Sequence, residues 1–521
     1  MGFDITRLIK GERLKDTVGS VMVINLVLAA TALIKDISLA SYLGTSPQAD
    51  AYLLALFLPD TAGNNLLAAT FAVACIPVFS RLYVAGDPEC LKQAMTRVTL
   101  YLSLVSMLVA ALFYIERGAL VGRLGAGLAL EAKILCVQLL VIMLPAVAAF
   151  PIATIGAAVM QVHNRFDIPA LGPVLFNAVY LGGIFITLFT GVPSGQGVYI
   201  LAWSVLAGAL SMVALNWISV RRFRIDAFVR PGKVWLKVNS PEIKEVIVIF
   251  LPYLLIMVAF QSVLAVERYL ASGLAAGSIA GLNYAFRMAQ FPLWVFVAAV
   301  SAVAFPSMSK ATGAGRLTDL KETLARSVGL VFMITVPLAI CLFILRVPAV
   351  SILLQRGSFD QSSVQITAGI LAGYSLSIVP QAAVVICLRA FLALGRYYVP
   401  LLATAFSAGL NIALDFILVE ALGSAGLGYG AAAGALANAV ILLTLLNRQL
   451  GLGMAGRLGW LGRILAANLP VLLLAWAFLW AWQWVAGAGP AVRLAYALGL
   501  AAVVLPVYFA GLRLVRVTLK K

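Results

Sequence analysis

Long apolar runs, broken at short intervals by turns and charged residues, dominate the chain. Ile134–Met160 and Leu469–Ala486 are examples. Such runs lack two-residue alternation, which argues for helices, and they exceed the roughly 20 residues a helix needs to cross a bilayer. A membrane β-barrel would instead show ~10-residue alternating segments. The pattern predicts spans at about 18–42, 50–84, 93–115, 134–160, 169–191, 197–219, 243–271, 279–306, 325–347, 364–392, 400–420, 425–446, 464–486 and 492–514. The second is long and carries Pro59 and Gly63, which predicts a bend or break there. The fold class is an all-α polytopic membrane protein with about 14 transmembrane helices.

Composition sharpens this picture. Of 521 residues, 63% are hydrophobic and 11% charged, and the excess is spread along the whole chain, which excludes a soluble enzyme with a single anchor. The net charge is +17, and its placement is informative. With both termini cytoplasmic, 27 of the 37 lysines and arginines fall on the cytoplasmic side, six fall opposite, and four lie inside spans. That bias fixes the expected orientation and accounts for the charge without nucleic acid. The first 20 residues are charged and lack a small-residue cleavage site, so no removed signal peptide is expected. Five scattered cysteines without CxxC and a single histidine, His163, offer no metal site. No Walker A, HExxH or GxSxG motif is present, so neither ATP hydrolysis nor nucleophilic catalysis is expected, and no catalytic residue is assigned.

The chain also repeats itself. AVACIPVFSR (Ala72–Arg81) matches SAVAFPSMSK (Ser301–Lys310), and LKQAMTR (Leu91–Arg97) matches LKETLAR (Leu320–Arg326), both offset by 229. RFDIP (Arg165–Pro169) matches RYYVP (Arg396–Pro400), offset by 231. Six spans return the chain to the same side, so the halves are parallel repeats about an axis along the membrane normal. The expected organisation is an N-lobe at 1–220, a linker with seven basic residues at 221–244, a C-lobe at 245–450, and two extra spans with a basic tail at 451–521. Carriers built this way hold their substrate between the halves and alternate access by rocking them.

Charges inside spans cost at least ~2.5–3.5 kcal/mol on insertion scales, so each needs a reason. Lys35 and Asp36 lie in span one, Asp50 and Asp60 in span two with Asn64 and Asn65 beyond, Glu267 and Arg268 in span seven, and Arg287 in span eight. Neighbours in sequence diverge by about 100° around a helix, so Lys35–Asp36 and Glu267–Arg268 are expected to find partners elsewhere. Arg389 and Asp415 lie towards span ends and read as structural charges. Arg287, beside Gln290 and Pro292 with no acidic residue one turn away, reads as cavity-facing. Lys35, Arg268 and Arg287 would form a cationic centre suited to an anionic substrate, phosphate above all. Asp50, Asp60 and Glu267 are candidates for proton or ion coupling. No cofactor is expected beyond a coupling ion or the membrane potential.

Four segments resemble the MurJ/MviN lipid II flippases of the multidrug/oligosaccharidyl-lipid/polysaccharide exporter superfamily: KDISLASYLGTSPQADAYLLALFLP (Lys35–Pro59), NRFDIPALGPVLFN (Asn164–Asn177), VERYLASGLAAGSIAGLNYAFRMAQFP (Val266–Pro292) and LRAFLALGRYYVP (Leu388–Pro400). The resemblance implies export of an undecaprenyl-pyrophosphate-linked glycan across a bacterial inner membrane by a monomer in contact with membrane lipids. It also implies a cationic central cavity, and a groove for the polyprenyl tail formed by the two extra helices. By the same resemblance Arg287 matches an essential arginine, Lys35 stands in for an arginine and Asp50 matches a functional aspartate. Two departures are plain. Ala29 stands where the span-one motif has its first arginine, and Gly63 and Asn64 stand where the span-two motif has two more. If this charge loss alters specificity, Gly63→Arg with Asn64→Arg raises lipid II activity. The alternatives are a paralogue moving an exopolysaccharide or O-unit precursor, a gradient-driven small-solute or multidrug antiporter, and a non-transporting scaffold.

Overall fold

In the computed structural model, residues 12–229, 241–396, 398–451 and 462–514 are described. Much of the basic linker, the C-terminal tail and the first eleven residues lie outside them. Fourteen described helices are long and apolar enough to cross a membrane. In chain order the helices are α1 (Glu12–Leu43), α2 (Pro47–Ala85), α3 (Pro88–Ile115), the short α4 (Arg117–Leu124), α5 (Leu130–Val162), α6 (Asp167–Thr190) and α7 (Ser194–Arg222). There follow α8 (Pro241–Ser272), α9 (Ser278–Gly313), α10 (Leu317–Ile344), the short α11 (Arg346–Leu354), α12 (Gln361–Ala393), α13 (Tyr398–Leu422) and α14 (Ala425–Leu450). The last two are α15 (Gly462–Val485) and α16 (Ala491–Arg513).

The first seven helices therefore repeat as the next seven, and the offsets of 229 and 231 read from sequence carry through element by element. The short helices, absent from the sequence expectation, obey the same register. Each begins with an arginine that reaches back to the helix before it. Arg117 donates to the Tyr114 carbonyl, and its guanidinium lies 4.5 Å from that ring centre. Arg346, 229 residues on, donates to the Phe343 carbonyl at 2.8 Å and lies 5.6 Å from the Phe343 ring. A cation at the end of a helix satisfies its free carbonyls and its dipole, which offsets the poor placement at the start of the next.

Prolines shape the two longest spans. After Pro59 in α2 and Pro292 in α9 the backbone opens into wide turns, Asp60–Ala68 and Leu293–Val297. Ala69 N–H then bonds the Asn64 carbonyl, and Ala298 N–H the Leu293 carbonyl, both five residues back. Proline offers no N–H and its ring crowds the carbonyl four residues earlier, so the ladder slips by one. The bend expected near Pro59 takes this form.

The chain divides into two compact units. One contains the described residues up to Leu43 with Pro47–Val258, and the other Gly44–Ser46 with everything from Ala259. The division runs through α8. Its first turns pack Ile243 and Val246 into the cluster of Phe79, Leu91 and Ile155 in unit one, and Glu245 pairs there with both terminal nitrogens of Arg81. In unit two α12 runs through the centre, where Gly373 meets α14 at Gly428; a Cβ at Gly373 would lie 2.1 Å from the Gly428 carbonyl carbon. Close backbone approach through small residues is how membrane helices gain packing where no hydrophobic effect drives them together. Helices α15 and α16 join unit two through Ile464, Val471, Val504 and Tyr508, with Val336 of α10 in the same cluster. At one end Arg493 donates to Gln355 Oε1 at 2.8 Å, Ser351 Oγ at 3.2 Å and the Ala488 carbonyl at 2.9 Å.

Candidate functional site

Unit one holds Lys35, Asp50, Asp60 and Asn64. Lys35 is buried, and its Nζ lies 3.5 Å from Asp36 Oδ1 and 5.3 Å from the Tyr180 ring centre. The expectation that these sequence neighbours avoid each other is thus corrected. The long lysine stem bends back to the short aspartate, and burial makes an unpaired ammonium costlier than the bent rotamer. Tyr52 and Tyr180 share a 2.5 Å hydroxyl hydrogen bond beside this pair. Asp50 is also buried, near the start of α2.

Asp60 sits in the wide turn. Its Oδ1 accepts from Asn64 Nδ2 at 3.0 Å and its Oδ2 from Asn65 Nδ2 at 3.2 Å. The slipped ladder is what lets residues four and five positions on both face Asp60. One departure from the family motif now has a packing cause. Gly63 faces α5, and a Cβ there would lie 2.8 Å from Val147 Cα and 2.9 Å from its carbonyl oxygen. An arginine cannot be restored at 63 without parting the helices, so Gly63→Arg reports packing rather than charge. Asn64, in contrast, is exposed.

Unit two holds Glu267, Arg268 and Arg287. Arg287 is half-buried with its guanidinium 5.9 Å from the Trp294 ring centre, and it has no ion pair among the described residues. Arg268 donates to the Leu264 carbonyl at 2.9 Å. Glu267 is fully buried and accepts from Tyr374 of α12 at 2.7 Å. Asp415, read from sequence as a structural charge near a span end, is fully buried within α13 and lies within electrostatic reach of Glu267 and Tyr374. Both its oxygens, and Oδ1 of Asn411 one turn earlier, lack a hydrogen-bond partner among the described residues. Gly430 of α14 makes room for them, because a Cβ there would lie 1.9 Å from Asp415 Oδ1. Sequence reasoning passed over Asn411 and Tyr374. For Asn411 the signal is the spacing Asn411-x-x-x-Asp415, which puts two oxygen-bearing side chains on one helix face; Tyr374 has none in the sequence.

A separate cavity of about 380 Å³ opens in the same unit between α9 and α12, lined in part by Gln290, Trp294, Ser301, Phe305, Gln381 and Arg389. Lys35 and its neighbours belong to one unit and Arg287 and Arg268 to the other. Each unit thus carries one part of the cationic set.

Known proteins match this arrangement along nearly its whole length. The profile of the lipid II flippase MurJ family matches residues 39–498. A probable lipid II flippase MurJ of Rhizobium meliloti (strain 1021) is 28% identical over 486 residues, covering 92% of this chain and 89% of that protein. The lipid II flippase MurJ of Burkholderia cenocepacia is 24% identical over 428 residues, covering 80% and 81%. Among solved structures, a lipid II flippase MurJ in an inward closed conformation superposes with a TM-score of 0.72 at 21% identity, covering 94% of this chain and 97% of that one. A multidrug resistance MATE family transporter of the MOP superfamily in an inward-facing conformation gives 0.67 at 18% identity, covering 81% and 94%. Fourteen spans, a six-plus-six repeat with two helices added, and a match across nearly the whole repeat converge: the chain belongs to the lipid II flippase MurJ family.

Proposed function

We propose that this chain is a flippase that moves lipid II, an undecaprenyl-pyrophosphate-linked glycan, from the cytoplasmic to the periplasmic leaflet of the bacterial inner membrane. Both termini are cytoplasmic in this reading, as the lysine and arginine bias favours. The observation that carries it is Arg287. A half-buried guanidinium without an acidic partner among the described residues, inside a span, bears a cost that an anionic cargo offsets. Lys35 in the other lobe supplies a second cation, shared with Asp36. Access alternates as the lobes rock. The relatives do not favour the exopolysaccharide or small-solute readings.

The test is complementation of a strain depleted of its own lipid II flippase, scoring growth and periplasmic lipid II. Rescue that is lost with Arg287→Ala is expected. A well-inserted wild-type protein that fails to rescue, or rescue indifferent to Arg287, refutes the proposal.

A monovalent cation couples to this movement through lobe two. Asp415 and Asn411 present three buried oxygens without hydrogen-bond partners among the described residues, within electrostatic reach of Glu267. A buried carboxylate that accepts no hydrogen bond takes either a proton or a cation, and an oxygen-lined cradle of this kind suits a hard ion. Asp60, held by two asparagines, is the weaker of the coupling candidates.

A further inference from the structure

The cavity between α9 and α12 contains chemistry that neither the cationic pair nor the buried carboxylates use. Its cation is Arg389, whose side chain is exposed to it. Nε of Arg389 donates to Ser301 Oγ at 3.0 Å, and the guanidinium lies 5.4 Å from the Phe305 ring centre. One edge and one face are therefore held, while the fork of the two terminal amino groups has no partner among the described residues. Beside it runs an amide relay. Gln290 Nε2 donates to Gln381 Oε1 at 2.8 Å, and Gln381 Nε2 donates to Ser377 Oγ at 2.9 Å. This leaves the Gln290 amide oxygen as an open acceptor among the described residues. Trp294 supplies an exposed aromatic wall.

The repeat provides an internal control for whether the fold needs these groups. At the offset of 229, Ser301 corresponds to Ala72 and Phe305 to Ile76. At 231, Arg389 corresponds to Ala158, Gln381 to Phe150 and Ser377 to Ala146. Lobe one builds the same helices with apolar residues at all five of these positions, so helix packing does not require Arg389, Gln381, Ser377 or Ser301.

We propose that this cavity is a saccharide subsite for the headgroup of the transported lipid, in which Arg389 holds a carboxylate of the headgroup. The inference rests on the flippase reading above. Trp294 covers an apolar sugar face, and Gln290 accepts from a hydroxyl or amide. A planar fork with a free edge fits two coplanar oxygens. With one cation and no acid among the lining residues, the charge balances a single carboxylate better than a pyrophosphate. The volume lies in the ordinary range for small-ligand sites, about 300–1,000 Å³.

The test uses the purified full-length protein in detergent and saturation-transfer NMR. The probes are N-acetylmuramoyl-L-alanyl-D-isoglutamine, which carries one free carboxylate, and neutral N-acetylglucosamine. The acidic probe is expected to bind more tightly than the neutral one. Arg389→Ala should weaken it about tenfold or more, the size of one lost charge-assisted bond, and Arg389→Lys less. Ala302→Trp, which fills the cavity and keeps the charge, should abolish binding in a protein with an unchanged melting profile. Equal binding of both probes, indifference to Arg389→Ala and Ala302→Trp, or displacement by millimolar inorganic phosphate would each overturn the proposal; displacement would mark a phosphate site instead. Because the readout is binding rather than transport, Arg389-dependent binding in a protein that fails complementation would remove the flippase reading and leave the subsite standing.

Discussion

A carboxylate with no exposure and no hydrogen bond cannot stay ionised alone, since burying an isolated charge costs several kcal/mol or more. Among the described residues Asp415 is such a group, and its proposed occupant makes a measurable difference. Melting temperature should rise when sodium chloride replaces choline chloride, because a ligand bound only to the folded state stabilises it by mass action. Asp415→Asn should abolish that rise, and Gly430→Ala, whose methyl would press on Oδ1, should reduce it; an ion-independent melt in the wild type refutes the cation. Asp360, outside the spans, makes a simpler case. It caps α12 by accepting from Ser363 N–H and Oγ–H, both at 2.8 Å, and these bonds hold its carboxyl below the usual range. A carboxyl that is more acidic in the fold adds stability above the unfolded value of 3.8, and this is lost as pH falls through the folded value. Asp360→Ala should therefore cost about 1 kcal/mol at pH 7, with the gap to wild type closing in acid melts below that value. At this scale, charge was the legible signal. Glu267 and Arg287 stood out against apolar runs, whereas Asn411, Tyr374 and Gln381 look like ordinary polar residues until their neighbours from other helices are in place.

For the helices, proline and glycine carry the information. Pro59 announced an interruption in α2, but its form follows from the slipped ladder, and the matching interruption after Pro292 becomes plain only when the two spans are laid side by side. Gly63 shows where motif comparison alone misleads. The missing arginine reads as lost charge until the Val147 backbone is seen 2.8 Å from where a Cβ would stand. Gly63→Ala should cost about 1–3 kcal/mol as overpacking, and Gly63→Arg should lower membrane expression without any gain in transport. Asn64→Arg should be tolerated at normal expression, because its side chain is exposed. Expression levels and thermal melts of the three variants separate charge from packing. The short helices α4 and α11 escaped the hydropathy pattern because eight or nine residues are too few to register beside full spans.

At the scale of the whole molecule, duplication made the architecture readable. Three matched segments fixed the register, and the structure extends it to every helix of both halves. The two added helices owe part of their placement to Arg493. Arg493→Leu, which removes its bonds to Ser351 and Gln355, should speed amide exchange in α15 and α16 while leaving α12 unchanged; uniform exchange across unit two would show that apolar packing alone holds them. Function was legible mainly through segments that resemble a family, since in-span charges alone fit several kinds of cargo.

The paired wide turns also amount to a screw thread with one loose winding in each lobe. An α-helix advances about 1.5 Å and turns about 100° per residue. If the winding after Pro292 tightened into ordinary helix, the stretch from Ala298 to Gly313 would rotate by that angle relative to Arg287. Ser301 and Phe305 would then swing away from Arg389. A change of one hydrogen-bond register could in this way disassemble a polar site without breaking a helix, and the same thread in α2 carries Asp60 and its asparagines.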